Sequence, residues 1–190
     1  MSLELISALA SVGTFVVIAA SALAAIIQLR HLRSSNQISA INGIQELFES
    51  NEFRCARRFI QDELPRLAKE PQFAARVEHR IMDDGLSSLN IIGNIYENLG
   101  AFCKYGLIDK EIACDLFSGP ILSSWTGMMP IIALRRRSLD APALLENFEY
   151  LAVLCEDFEA RHPDGAYPRG ARRMHVEVAR TTEPVDRVGR

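Results

Sequence analysis

From Leu5 to Leu29 the chain runs for 25 residues without a charge, between Glu4 and Arg30. About 20 apolar residues in a helix, at about 1.5 Å per residue, already cross a hydrocarbon layer about 30 Å thick. The run therefore predicts one transmembrane helix with room for tilt. A cleaved secretory signal would need a basic leader, a shorter apolar stretch and a small-residue cleavage site. Here the charge before the run is Glu4, and the small residues Ala20, Ala22 and Ala24 lead back into Ile26 and Ile27. A retained anchor fits better. Arg30, His31 and Arg33 follow the run, and short basic flanks stay in the cytoplasm. We expect the N-terminus outside, the rest of the chain inside, and Arg30 and Arg33 at the lipid headgroups of a bacterial inner membrane.

Within the run, Ser7, Ser11, Thr14, Ile18, Ser21, Ala25 and Gln28 fall on one stripe of a helix, with Gly13 and Ala24 among its flanking small residues. Leu9, Val12, Val16, Leu23 and Ile26 collect on the other side. Helices associate in lipid through close approach at small residues and through hydroxyl or amide hydrogen bonds. The candidate packing face is thus Ser7, Ser11, Gly13, Thr14, Ser21, Ala24 and Gln28. The alternative is that a passive span merely tolerates small residues.

The remaining sequence reads as helices with short breaks, so the expected fold is all-α: an anchor and basic flank over 1–34, a cytoplasmic bundle of about four to six helices over 35–162, and a disordered tail over 163–190. Ile38, Ile41, Ile44, Leu47 and Phe48 recur at helical spacing, either continuing the anchor or restarting near Ser34 and Ser35. Ser50 and Asn51 suit an N-cap. Pro65 predicts a kink or early stop, and Pro71 opens a helix that reaches Ile81 and Met82. The strongest amphipathic series, Leu86, Leu89, Ile92, Ile95, Tyr96, Leu99, Phe102 and Cys103, stops at Gly106, and Asp109 caps the next helix. A last helix is expected from Asp140, with Pro142 in its first turn, burying Phe148, Leu151 and Phe158. Phe102 is expected in the same core.

Residues 116–134 are also uncharged, but Pro120, Pro130, Gly119 and Gly127 interrupt them, and Arg135, Arg136 and Arg137 follow. A second crossing would put those arginines outside. A buried, kinked core helix around Trp125 is preferred over an interfacial or re-entrant segment.

Several functions lose support on composition. A net charge of −3 is poorly suited to a nucleic-acid face, which must neutralise several phosphates. Cys55, Cys103, Cys114 and Cys155 are widely spaced with no C-x-x-C pair, so they read as buried thiols rather than zinc ligands. No phosphate loop, dinucleotide turn, serine elbow or H-E-x-x-H is present. His79 and Asp83, beside Glu78 and Asp84, come nearest to a metal or acid–base cluster and read as a solvated helix end. No catalytic residue, metal or cofactor is therefore expected.

An N-terminal anchor, Arg30-x-x-Arg33, a helix ending in Tyr105-Gly106-Leu107-Ile108-Asp109, and a following helix with Trp125, Pro130 and Arg135 together resemble a group of uncharacterised bacterial single-pass membrane proteins with a small helical cytoplasmic domain. The likeness covers roughly residues 5 to 160. It implies that fold and location, and no activity. The expected role is an accessory, scaffolding or regulatory subunit that works by association, with lipid and a second copy or a larger membrane complex as partners. The alternative is a tethered enzyme or ligand sensor with a site built from dispersed residues.

Overall fold

A computed structural model describes residues 3–78 and 84–174, and every regular element among them is helical. Helix α1 runs unbroken over Leu3–Glu49, so the apolar segment and the Ile38–Phe48 series are one rod. Ser50 ends it and caps α2 (Asn51–Arg58), its hydroxyl accepting from Phe53 N. The chain then widens into a π segment, Phe59–Glu63, before the short α3 (Leu64–Leu67). Pro65 cannot donate to the carbonyl one turn back, and a π turn is a standard way to absorb such a missing bond without ending the helix. The helix is re-registered rather than stopped.

Helix α4 spans Pro71–Glu78; Ile81, Met82, His79 and Asp83 lie outside the described residues. The long helices are α5 (Asp84–Lys104), α6 (Lys110–Ser138) and α7 (Glu146–Arg161). Helix α7 packs against both α5 and α6, and α2 lies across α5. Close approach of α5 and α7 depends on Gly100: a Cβ there would stand 2.0 Å from the Asn147 carbonyl oxygen. The Glu97 carboxylate of α5 accepts from Asn147 Nδ2 at 2.8 Å and from Phe148 N at 2.9 Å. It thereby supplies an anion at the N-terminus of α7, where free N–H groups and the helix dipole favour one.

The core is aromatic at its centre. Phe48 of α1 stacks on Phe53 at 4.6 Å and meets Phe117 edge-on at 5.0 Å. Tyr96 stacks on Phe148 at 4.9 Å, and Trp125 meets Phe148 edge-on at 5.1 Å. Leu89, Ile92, Leu99, Phe148, Leu151 and Phe158 are buried as expected. Phe102 is not: it is 38% exposed, and its neighbour Cys103 takes the inward position. Helix α6 buries one face, including Cys114, Phe117, Ile121, Ser124 and Met128, while Leu116 and Met129 stay exposed; both prolines sit inside the unbroken helix. Trp125 is half-buried rather than buried.

The start of the last helix is corrected. Asp140 closes α6, with φ +48°, and the Ala141 and Asp140 N–H groups bond back to the Arg136 and Arg137 carbonyls at 3.0 and 3.3 Å. This is the Schellman pairing, with aspartate where glycine is usual. Helix α7 begins at Glu146, after Leu145 at φ +57°. Gly106 behaves as expected, at φ +67°, with Leu107 N bonding the Phe102 carbonyl at 2.9 Å and Gly106 N the Cys103 carbonyl at 3.1 Å. Asp109 caps α6, accepting from Glu111 N and Ile112 N at 2.9 and 3.2 Å.

Beyond α7, His162 is half-buried against Phe158 and residues 163–174 are exposed, with Arg173 lying over the Tyr167 ring at 4.8 Å; residues 175–190 lie outside the described set.

Candidate functional site

Helix α1 leaves its first half uncovered. None of the residues from Ala10 to Asn36 is buried, and Phe15, Val17 and Leu29 are 71%, 65% and 66% exposed. It is the one described helix long and apolar enough to cross a membrane, with a window of mean hydropathy 2.3. The apolar surface extends well beyond the single stripe that suits a helix on a core, interrupted along one side by Ser7, Ser11, Thr14, Ser21 and Gln28.

The candidate packing face lies within this bare stretch. Ser7, Ser11, Gly13, Thr14, Ser21, Ala24 and Gln28 are all exposed, so the structure sets them along one rod without bringing another element onto them. A Cβ added at Gly13 would meet nothing within 4 Å. Thr14 donates its hydroxyl to the Ala10 carbonyl at 2.9 Å, a bond to its own helix that leaves the oxygen able to accept another. Arg30 and Arg33 follow, both exposed, and the Arg33 guanidinium donates to the Gly106 carbonyl at 3.4 Å. That bond ties the α5–α6 corner to the end of the apolar run.

Among the described residues the domain offers a cleft of about 560 Å³, lined by Trp125, Met129, Ile132, Arg136, Arg137 and Glu149 among others. Arg136 is held there by the Leu144 carbonyl at 2.9 Å and by Glu149 at 2.7 Å. Arg135 turns away to Asn90 Oδ1 at 3.0 Å, and Arg137 is exposed. Arg136 and Arg137 thus both line the cleft while Arg135 turns away, so the three do not act as one clamp. The periodicity of the sequence did not reveal this cleft, because one face of α6 forms most of it, and the turn at Asp140 and Pro142, with Glu149 of α7, closes it.

Three of the four thiols are buried and Cys55 is exposed, against the expectation for that residue. Cys155 Sγ lies 3.5 Å from Cys114 Sγ. Burial pushes the Cys103 thiol up to about 12, with Cys114 adding to the effect, and Cys155 is also raised, through its contact with Cys114 and through burial. The hydrogen bond from Cys155 shifts the Cys114 thiol the other way, downward, so Cys103 and Cys155 are held as thiols while Cys114 is shielded by burial. Tyr96 and Ser124 carry buried hydroxyls that find no well-formed hydrogen bond, and burial pushes the Tyr96 phenol up to about 12. Among the described residues no group of His, Cys, Asp and Glu is placed to hold a metal ion.

No curated protein and no solved structure matches the chain. Residues 15–154 match a family described as a domain of unknown function, DUF4760. The match begins inside the bare part of α1 and ends in α7, so it takes in apolar rod and packed domain together. On that coverage the chain belongs to the DUF4760 family.

Proposed function

We propose that this protein is a membrane-anchored accessory, scaffolding or regulatory subunit that works by protein–protein association. Its N-terminus lies outside a bacterial inner membrane and its helical domain lies in the cytoplasm. The observation that carries the reading is the contrast along α1: one continuous helix is bare and apolar at one end and locked into an aromatic core through Phe48 at the other. A bare apolar rod needs lipid around it, and its small-residue face lets a second helix approach closely. Because the rod has no break before Phe48, a partner that rotates or shifts the span also moves the domain. Second copies of this chain or a larger membrane complex fit that face.

The test is crosslinking in membranes. Leu substituted at both Gly13 and Ser21 should abolish the crosslinked species, while Leu23→Ile and Ile26→Leu should leave it intact. Equal behaviour of the two sets would make α1 a passive anchor. A second reading, a tethered enzyme or ligand sensor, draws on the cleft beside Trp125 and Arg136, whose size suits a small ligand. It gains if the two variant sets behave alike and Trp125→Ala alone abolishes the protein's cellular effect.

A further inference from the structure

The corner between α5 and α6 carries apolar side chains on its outside. Tyr105 is 74% exposed and Leu107 is 59% exposed, with Phe102 and Ile112 partly exposed on either side. They are grouped by the backbone. In a Schellman turn the residue after the left-handed glycine folds back beside the last full turn of the helix, so Leu107 returns to the turn that bears Phe102. The result is one apolar knuckle.

Its height is fixed by Arg33. That side chain donates to the Gly106 carbonyl, and Arg33 follows Leu29 by four residues, about 6 Å along a helix. The headgroup layer on each side of a hydrocarbon core is about 5–8 Å deep. If α1 spans the bilayer, the knuckle stands at headgroup depth.

The geometry points to a second membrane contact: Tyr105 and Leu107 enter the interfacial layer of the leaflet from which α1 emerges, and hold the domain against the lipid surface. The inference rests on the reading of α1 as a membrane span and adds the orientation of the domain to it. Tyrosine, with an apolar ring and a polar hydroxyl, is suited to that layer. The charges agree. Arg33 touches the corner, Lys110 follows it closely in sequence, and Arg30 precedes Arg33 by three residues on α1; basic residues favour anionic headgroups. The nearby acids are engaged: Asp109 accepts from two backbone N–H groups, and Glu111 pairs with Arg161 through both oxygens, at 3.0 and 3.3 Å. The knuckle is too small to bind a bilayer by itself. Tethering by α1 removes that requirement, because the contact becomes intramolecular within an anchored chain.

Spin labels on the full-length protein in phosphatidylcholine–phosphatidylglycerol vesicles test this. In a Cys55→Ser background, nitroxides are placed one at a time by Leu107→Cys, Tyr105→Cys, Val16→Cys and Val153→Cys. Each is then read for access to lipid-soluble oxygen and to a water-soluble nickel chelate. Val16 reports the span, and Val153, 49% exposed on α7, reports the aqueous face. Labels at 107 and 105 should show an oxygen-to-nickel ratio several-fold above that at 153 and below that at 16. A ratio at 107 and 105 equal to that at 153, with 16 in lipid, overturns the corner contact and leaves the anchor standing. Protection of 107 and 105 from both reagents means that a protein covers the corner, and also overturns it. An aqueous ratio at 16 overturns the span reading and this inference together.

Discussion

Phe15 and Ile44 sit on the same uninterrupted helix, yet Phe15 is 71% exposed and Ile44 is 6% exposed. The two halves of α1 differ in both hydrophobicity and pattern: 5–29 carry no charge, whereas 30–49 hold Arg30, His31, Arg33, Glu46 and Glu49. Around Phe15 the apolar surface spans most of the helix circumference, broken by the stripe of Ser11, Thr14 and Ser21, and is wider than one neighbouring element can cover. Around Ile44 the apolar residues recur on one face, with Ala40, Ile41 and Phe48 packed beside it on the domain core and Asn42 and Glu46 exposed. Burial by lipid asks only for apolar surface; burial by protein asks for a complementary shape, supplied here by Phe53 and Phe117. The difference predicts that the packed region is sensitive to single atoms and the bare region is not.

The sharpest contrast comes from matched deletions. Phe148→Ala should cost about 3–5 kcal/mol, since the ring is fully buried against Tyr96 and Trp125 and its loss leaves a cavity. Phe15→Ala should leave the unfolding of the domain unchanged. Phe102→Ala, on the exposed corner, should cost less than about 1 kcal/mol. Denaturant titration of the full chain in mild detergent, followed by Trp125 fluorescence, reads all three, and an equal loss for Phe15 and Phe148 would erase the distinction.

A single added methyl group probes shape alone. Gly100→Ala should destabilise by about 1–3 kcal/mol or more, because the new Cβ collides with backbone at Asn147 and neither helix can give way cheaply. Gly13→Ala meets open space and should leave the same unfolding curve in place. Between these effects in kind, though smaller in energy, lies the Asp140 corner. Asp140→Gly should stabilise by about 0.5–1 kcal/mol, since glycine takes a left-handed conformation without the strain of a side chain. A loss of stability there would show that the aspartate side chain is needed for more than the turn.

The thiols give the contrast without any mutation. At pH 8 a water-soluble maleimide should modify Cys55 and leave Cys103, Cys114 and Cys155 untouched until denaturant is added. For Cys103, raised to about 12, and for Cys155, also raised, the reactive thiolate is absent at pH 8; Cys114 is lowered by its bond from Cys155 and is protected by burial alone. Modification of more than one cysteine in the native protein, read by mass spectrometry, would mean that the core around Cys114 and Cys155 opens readily.

Caps were the most legible part of the fold. Ser50, Gly106 and Asp109 each announce a helix boundary through local chemistry, and the backbone obeys all three. Asp140 deceived for an instructive reason. Aspartate both caps helix starts and tolerates the left-handed turn that ends them. Which role it takes depends on whether the carbonyls of Arg136 and Arg137 are within reach, and here they are. Phe102 and Cys103 are adjacent at the edge of one amphipathic stripe, and periodicity cannot choose between them. The choice fell to the packing around α5, which leaves its outer edge uncovered at the corner.

The sequence by itself determined the helical content, the uncharged rod from Leu5 to Leu29, and most of the helix boundaries, because these depend on the nearest few residues and on apolar periodicity. Tertiary structure alone decided the aromatic centre joining Phe48, Tyr96, Phe148 and Trp125, the cleft beside Arg136, the Cys114–Cys155 contact and the reach of Arg33 to Gly106. Each joins residues that are distant in the chain. Their meeting depends on how long helices cross and how closely they approach, and close approach of α5 to α7 turns on a missing side chain at Gly100.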